Sequence, residues 1–352
     1  MSKPPHKILI INPGGVGDLI MFSPALQILK NNFPDSISII DIFVSYTTGR
    51  TGIFQDSLFV NKIFFFDFQK NNFLSKIKLI HKFRKEKYDL VFVASGVNPL
   101  MGSLFAFLTG AKTRAGEYRK AKLTFYTNQV KLDVDKHKIE TNLNLLKALD
   151  IKIESPAPLP FFEMGADDKK FAEEFIQKNS LENKILIGFS IGSGTAQQFK
   201  LWPKENFIKL GKKILDGCPD AIILLFGSLG EKDLCLKMQN ELEEKAISVI
   251  GKTLCQVAAL TDQCRIFVSS DTGLSHIAAT TSANLIAIFG PTIPERTGPV
   301  GPRVHIISEK CRYRYHDIFT KNYDTNKKHE CLKKITPEIV FNKVQEIINS
   351  KS

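Results

Sequence analysis

The stretch KILIINPGGVGD, residues 7–18, decides the fold. Lys7–Asn12 is a short apolar run without polar alternation, the pattern of a strand buried on both faces of a parallel sheet. It breaks at Pro13-Gly14-Gly15-Val16-Gly17-Asp18. The glycines there permit a tight turn and close approach of a ligand to the backbone. A helical pattern follows over Phe22–Asn32. A strand, a glycine turn and a helix in that order open an α/β unit whose parallel sheet is covered by helices.

The alternation continues in both directions along the chain. In the first half, strands are expected at Ser38–Val44, Lys62–Phe66 and Asp89–Ala94, and helices at Phe73–Lys87, Pro99–Leu108 and His137–Leu149. Residues 154–160, ESPAPLP, then place three prolines in seven residues. Such a segment neither continues a helix nor serves as a central strand, and it reads as a semi-rigid linker. A second series begins beyond it. Its strands are expected at Lys184–Ser190, Ala221–Phe226, Arg265–Ser269 and Asn284–Phe289. Its helices are expected at Asp167–Asn179, Lys204–Asp216, Lys232–Lys245 and Ser275–Thr281. A last helix, Thr336–Ile348, follows the start signal Thr336-Pro337-Glu338. The expected division is 1–160, 161–335 and a closing helix in 336–352, for which packing back on the N-terminal domain is one placement.

Of the 352 residues 43% are hydrophobic and 24% charged, a soluble globular profile that excludes disorder, collagen and coiled coil. No run approaches the roughly 18 apolar residues of a spanning helix. The opening MSKPPHKILIIN lacks the long apolar core of a secretory signal, so a cytoplasmic protein is expected. The net charge of +12 is concentrated in the first 160 residues, where 22 Lys and Arg face 13 Asp and Glu. That half should attract an anionic partner: nucleic acid, a phosphorylated glycan or an acidic membrane surface. Cys218, Cys235, Cys255, Cys264, Cys311 and Cys331 form no CxxC pair, so reduced packing thiols and no structural metal are expected.

Ligands of doubly wound sheets bind beyond the carboxyl ends of the strands. In the first such loop, Gly14, Gly15 and Gly17 leave position 20 as Ile where a dinucleotide fingerprint needs a third glycine, and no Walker lysine is present. Asp18 reads in two ways: a cap on the free N–H groups of the helix, or a general base. The second half has the richer constellation. Strand Arg265–Ser269 runs into Ser270-Asp271-Thr272-Gly273-Leu274-Ser275-His276, a strand-to-helix turn able to hold an anion. Lys200 stands before Trp202-Pro203 and can neutralise a diphosphate. Glu231, after strand Ala221–Phe226, can take two ribose hydroxyls. Each has a plainer alternative: Asp271 as a cap, His276 as a core histidine, Lys200 as a surface charge, Glu231 as a cap. Together, at the ends of consecutive strands, they favour a nucleotide-diphosphate site.

Gly17-Asp18 with Pro24-Ala25-Leu26, the run Ser269–Ala279, Phe289-Gly290-Pro291-Thr292, Lys200-x-Trp202-Pro203 and the tail Cys331–Val340 resemble glycosyltransferase family 9, the ADP-heptose:lipopolysaccharide heptosyltransferases. The resemblance runs from Lys7 to Val340. It implies the GT-B fold, two Rossmann-like doubly wound domains facing across a cleft. The nucleotide-sugar donor would bind the C-terminal domain, the lipopolysaccharide-core acceptor the N-terminal one. Transfer would invert the anomeric centre. The family's catalytic aspartate matches Asp18, its phosphate lysine Lys200, a nearby hydroxyl Thr195 and its ribose glutamate Glu231. Its Asp-Thr-Gly turn matches Asp271, Thr272 and Gly273, with His276 in the same motif. No cofactor or metal is implied.

The acceptor is an anion carried on lipid at the cytoplasmic leaflet, which suits the basic N-terminal half. Lys112, Arg114, Arg119, Lys120 and Lys122 are candidates to contact it. Lys70–Lys87, with seven basic residues and one Glu, reads either as an interfacial helix on anionic lipid or as an ordinary amphipathic helix packed on its sheet. Competing functions are a transferase of another nucleotide sugar, a sugar-nucleotide epimerase of GT-B type, and a non-catalytic binder of an anionic glycan or nucleic acid. No recognised nucleic-acid motif is present, and nucleic acid is not the expected partner.

Overall fold

The computed structural model describes residues 5–33, 39–45, 52–54, 57–67, 70–119, 124–192, 198–311 and 330–350. The chain divides into two compact units, Met1–Glu163 and Met164–Ser352.

In the first unit β1 (Lys7–Ile11) leads through the glycine turn into α1 (Val16–Asn32). Then come β2 (Ile39–Ser45), β3 (Lys62–Phe66), α2 (Phe73–Glu86), β4 (Leu90–Val93), α3 (Pro99–Leu108), β5 (Thr113–Tyr118), β6 (Asn128–Lys131) and α4 (Lys138–Lys147). The six strands are parallel in the order β3-β2-β1-β4-β5-β6. That is the Rossmann order, whose direction reverses between β1 and β4. Helix α1 begins six residues earlier than the sequence pattern suggests. The Asp18 carboxylate accepts the Gly15 N–H at 2.9 Å and so closes the first turn where the glycines alone would leave it open.

One face of this sheet is covered by α2 and α3, which pack side by side. Phe83 of α2 is fully buried and meets Phe43 and Phe64 edge-on, with ring centroids 5.6 and 4.9 Å apart. Lys7 of β1 is paired with Glu86 at the end of α2. The ammonium holds the Glu86 carboxyl below the usual carboxylate range. The proline-rich segment is docked on this unit: the Phe161 N–H donates to Ser23 Oγ at 2.8 Å, and the Phe59 and Phe161 rings lie 4.8 Å apart.

The second unit repeats the plan. It holds α5 (Ala166–Lys178), β7 (Ile185–Ser190), α6 (Lys204–Gly217), β8 (Ala221–Gly227), α7 (Lys232–Leu242) and β9 (Ala246–Ile250). It continues with α8 (Leu254–Asp262), β10 (Ile266–Ser270), α9 (Gly273–Ala278), β11 (Asn284–Phe289), α10 (Pro294–Thr297), β12 (Val304–Ser308), α11 (Glu330–Lys334) and α12 (Pro337–Asn349). The strand order β12-β11-β10-β7-β8-β9 is the same topology, reversing between β7 and β10, where Ser190 stands opposite Ser269. The closing helix α12 belongs to this unit: Val340, Val344 and Ile347 are buried in its core with Phe207, Leu210 and Ile214 of α6.

Four strands carry no clear signal in the sequence: β5, β6, β9 and β12. Three of them close the ends of their sheets, and β6 (NQVK) and β12 (VHIIS) alternate or interrupt apolar residues because they are only partly covered. Helix α8 was likewise not anticipated. Cys311 and Cys331 form a disulfide, which corrects the expectation that all six thiols are reduced.

Gly188 in the centre of β7 admits the Phe267 ring: a Cβ there would lie 2.4 Å from Phe267 Cδ2 and 3.0 Å from Phe226 Cε2. Gly188→Ala is therefore expected to destabilise the second unit by about 1–3 kcal/mol through overpacking. The denaturant midpoint of that unit's unfolding measures it, and an unchanged midpoint contradicts the packing account.

Candidate active site

Each unit gathers polar side chains where its strand order reverses. In the first, Asp18 follows β1 and is fixed from two sides. Oδ2 accepts the Gly15 N–H, and Oδ1 accepts from Lys138 Nζ at 2.8 Å. Asn12, at the end of β1, donates to the Asp18 carbonyl at 3.3 Å. Gly14 is required by this packing: a Cβ there would lie 2.5 Å from the Asp18 Cβ and Oδ2. Gly15 is extended at φ −77°, open to any residue, and Gly17 lies inside α1. The glycine turn thus makes room for the aspartate first.

Lys138 opens α4 next to its cap His137, whose Nδ1 accepts the Ile139 N–H. The ammonium lies against Gly96, where a Cβ would be 3.0 Å from Nζ and where φ is +95°, a conformation that favours glycine. The Gly96 N–H donates to Glu117 Oε2 at 3.2 Å, and Ser95 Oγ donates to Glu117 Oε1 at 2.9 Å. Glu117 is buried at the end of β5. Burial pushes the Tyr126 hydroxyl's pKa up, and the nearby Glu117 charge adds to the shift.

Sequence reasoning singled out neither Lys138 nor Glu117. One signal was present: a lysine in the first turn of a helix opposes the helix dipole, so it needs a local counter-charge.

The acceptor-contact candidates separate by edge. Lys112 and Arg114 lie at the amino end of β5, the sheet edge away from Asp18. Arg114 is committed to carbonyls of Phe125, Ala111 and Lys112 at 2.7, 2.6 and 3.3 Å, and its guanidinium covers the Phe107 ring. Its geometry is that of a loop brace. Arg119, exposed beyond the carboxyl end of β5, lies on the Asp18 edge. Lys120 and Lys122 lie outside the described residues.

In the second unit Lys200 and Asp271 form an ion pair at 3.0 Å, both largely shielded from solvent. Trp202 explains how a lysine from the β7–α6 connection reaches the end of β10. Its N–H donates to Ser270 Oγ at 2.9 Å and its Nε1–H to the Ile335 carbonyl at 2.8 Å, while the indole packs edge-on against Phe207. Thr272 and Gly273 open α9 directly beyond β10. Thr272 Oγ1 lies 3.2 Å from Ser269 Oγ, and the Thr272 carbonyl accepts from Ser275 Oγ at 2.7 Å. His276 is buried within α9.

Glu231 folds back over the end of β7. Its Oε2 accepts the Ser228 N–H and hydroxyl, both at 2.7 Å, and a Cβ on Gly192 would sit 1.7 Å from its Oε1. Gly192 thus admits the carboxylate to the strand ends. The structure brings together Lys200, Asp271, Thr272, Gly273 and Glu231 at the carboxyl ends of β8, β7 and β10. Thr195 lies outside the described residues. Among the described residues no group of three or more His, Cys, Asp or Glu side chains could hold a metal ion.

The sequence model of glycosyltransferase family 9 (heptosyltransferase) matches residues 76–327. The chain belongs to that family. Its relatives include lipooligosaccharide heptosyltransferase 2 of Campylobacter jejuni, 27% identical over 360 residues and spanning 98% of this chain and 99% of the relative. Lipopolysaccharide heptosyltransferase 2 of Escherichia coli is 23% identical, over 97% of this chain and 98% of the relative. Among solved structures, a family 9 glycosyltransferase from Veillonella parvula superposes with a TM-score of 0.77 at 20% identity, covering 97% of each chain. E. coli ADP-heptose heptosyltransferase II gives 0.72 at 23% identity, covering 97% of this chain and 98% of that one. The fold class is the expected one, two Rossmann-like doubly wound domains of the GT-B kind, and the protein is a glycosyltransferase.

Trp202→Phe removes the donor to the buried Ile335 carbonyl while keeping an aromatic ring. A loss of about 1–3 kcal/mol is expected, the cost of leaving a buried acceptor unsatisfied. Equilibrium unfolding of the variant reads it directly, and a change near zero removes the anchoring role.

Proposed function

We propose that the chain transfers a heptose from ADP-heptose to the inner core of lipopolysaccharide, with lipid A bearing 3-deoxy-octulosonate sugars as acceptor, and that transfer inverts the anomeric centre. The observation that carries the reading is the Asp18 carboxylate, held at the end of β1 by the Gly15 N–H and the Lys138 ammonium. A single in-line displacement needs one base. Asp18 takes the proton of the acceptor hydroxyl as its oxygen bonds to the anomeric carbon. The bond from that carbon to the diphosphate oxygen breaks, and the nucleoside diphosphate leaves with the electron pair.

The leaving diphosphate is a weak base, so it needs positive charge rather than a proton. Lys200 supplies it. Asp271 holds its ammonium at the end of β10, where it faces the phosphates. The amides at Thr272 and Gly273 add donors at the start of α9. Glu231, held at the strand ends by its bonds from Ser228, takes the ribose hydroxyls. The scheme requires no metal or cofactor. A nucleotide-sugar donor places the reaction in the cytoplasm, with a peripheral contact to the leaflet that carries the acceptor.

Lys138 holds the base in place through its bond to Oδ1, which makes it a positioning residue.

Asp18→Asn tests the base. Its amide oxygen can keep the bond to the Gly15 N–H, so the fold should persist. The rate of heptose transfer is expected to fall about 10²–10⁴-fold, the usual worth of a general base, with donor affinity by calorimetry unchanged. Turnover at the wild-type level removes Asp18 from the role. Screening ADP- and UDP-sugars against the same protein distinguishes the donor.

Lys138→Ala should lower kcat by at least about tenfold with little change in the KM for the donor, because it frees a base that geometry must aim. Lys138→Arg should recover part of the loss, since a cation again faces Asp18. Equal effects of the two substitutions on kcat contradict the positioning role.

A further inference from the structure

The sheet topology places the starts of α2 and α3 on the same edge as Asp18. The strands are parallel, α2 begins beyond the carboxyl end of β3, and α3 beyond that of β4. The inner faces of both helices are accounted for: Leu79 and Phe83 of α2 and Ala106 of α3 are buried against the sheet. Their outer faces are not. Phe73, Leu74 and Ile77 on α2, with Leu100 and Met101 on α3, are 46–74% exposed. Helix α3, PLMGSLFAFL, contains no charged residue at all. A surface helix ordinarily turns polar residues outward. Large apolar side chains gathered on two adjacent helices mark a surface that meets a partner.

The charge around this apolar surface selects the partner. Lys70, Lys78, Lys82, Arg84, Lys85 and Lys87 are exposed on and beside α2. The one acid of the segment, Glu86, is paired with Lys7. Exposed apolar side chains beside a basic helix match an anionic bilayer, where the first enter the headgroup boundary and the second meet the lipid phosphates. A second copy of the chain fits poorly, because a two-fold contact would set these like charges against each other. Nucleic acid fits poorly as well: most of the exposed apolar side chains are aliphatic and offer no stacking platform.

We propose that the outer surface of α2 and α3 rests on an anionic lipid surface, so that a membrane-held acceptor is presented at the edge of the sheet that carries Asp18. The first half stands on the surface alone; the second rests on the heptosyl-transfer reading.

The full-length protein is sedimented with vesicles of phosphatidylcholine, alone or with phosphatidylglycerol. Binding is expected to the mixed vesicles, to weaken as salt rises, and to be at least about tenfold weaker to the neutral ones. The triple substitution Phe73→Ser, Leu74→Ser, Ile77→Ser lies on exposed positions and should lower affinity for the mixed vesicles by about tenfold or more, as expected when buried apolar area is removed. It should also slow transfer to acceptor held in those vesicles, and leave unchanged the rate on the same carbohydrate cleaved from its lipid. Leu100→Ser with Met101→Ser should act in the same direction. The proposal is overturned if the wild type ignores the mixed vesicles, if it binds neutral vesicles equally, if the triple variant binds like the wild type, or if the substitution instead dissolves a dimer. Failure to transfer heptose even to the cleaved carbohydrate sinks the functional reading, and vesicle binding still decides the surface.

Discussion

A lysine ammonium meets an aspartate carboxylate at the turning point of each sheet: Asp18 with Lys138 at 2.8 Å, and Lys200 with Asp271 at 3.0 Å. The surrounding structure is arranged around holding these four side chains. Partly desolvated ions are costly unless paired and hydrogen-bonded. Each pair therefore depends on backbone that delivers both partners to one place. In the first unit Gly14 and Gly96 are the positions where a Cβ would strike the pair. In the second, the Trp202 backbone N–H is bonded to Ser270 and its indole to Ile335, which carries Lys200 to the end of β10.

The two pairs share a topology and divide the chemistry. Asp18, Lys200 and Asp271 follow the carboxyl end of the first or fourth strand of their unit, and Lys138 reaches that end from α4 after β6. In the first unit the aspartate comes from the first strand's turn and the lysine arrives from outside. In the second the lysine follows the first strand and the aspartate the fourth. The carboxylate is thus the group presented in one unit and the ammonium in the other. The proposed displacement would use that division, with a base toward the acceptor hydroxyl and a cation toward the diphosphate.

Much of this was legible in the sequence because it is local. Residues 7–18 and 265–276 each run from strand through turn to helix within a dozen positions, and their apolar runs are continuous because both faces of the central strands are covered. Asp18 as helix cap and Asp18 as presented carboxylate turned out to be compatible, since its two oxygens serve different partners. The illegible parts are long-range. Lys138 lies 120 positions from Asp18, and nothing local pairs them. Charge counting gathered Lys112, Arg114 and Arg119 into one basic region, but a strand carries its two ends to opposite edges of the sheet. Arg114 was drawn to carbonyls that no residue pattern advertises. The partly covered strands β6 and β12 gave no apolar run for the same reason that they are partly polar.

The amphipathic pattern of Phe73–Glu86 shows how a periodicity can be right and still incomplete. Leu79 and Phe83 satisfy the helical repeat and pack on the sheet, so the ordinary core reading is correct for them. It does not extend to Phe73, Leu74 and Ile77, which share the helix but face outward at its first turns. A hydrophobic repeat reports that a helix has an apolar side; it cannot report a second one. Helix α3 sharpens the point, since an all-apolar sequence carries no periodicity from which an outer face could be read. Burial separates the two sides, and strand direction then places the exposed first turns on the edge where Asp18 stands. Under the proposed transfer to a lipid-linked acceptor, apolar contact at that edge would bring the membrane-held substrate to Asp18.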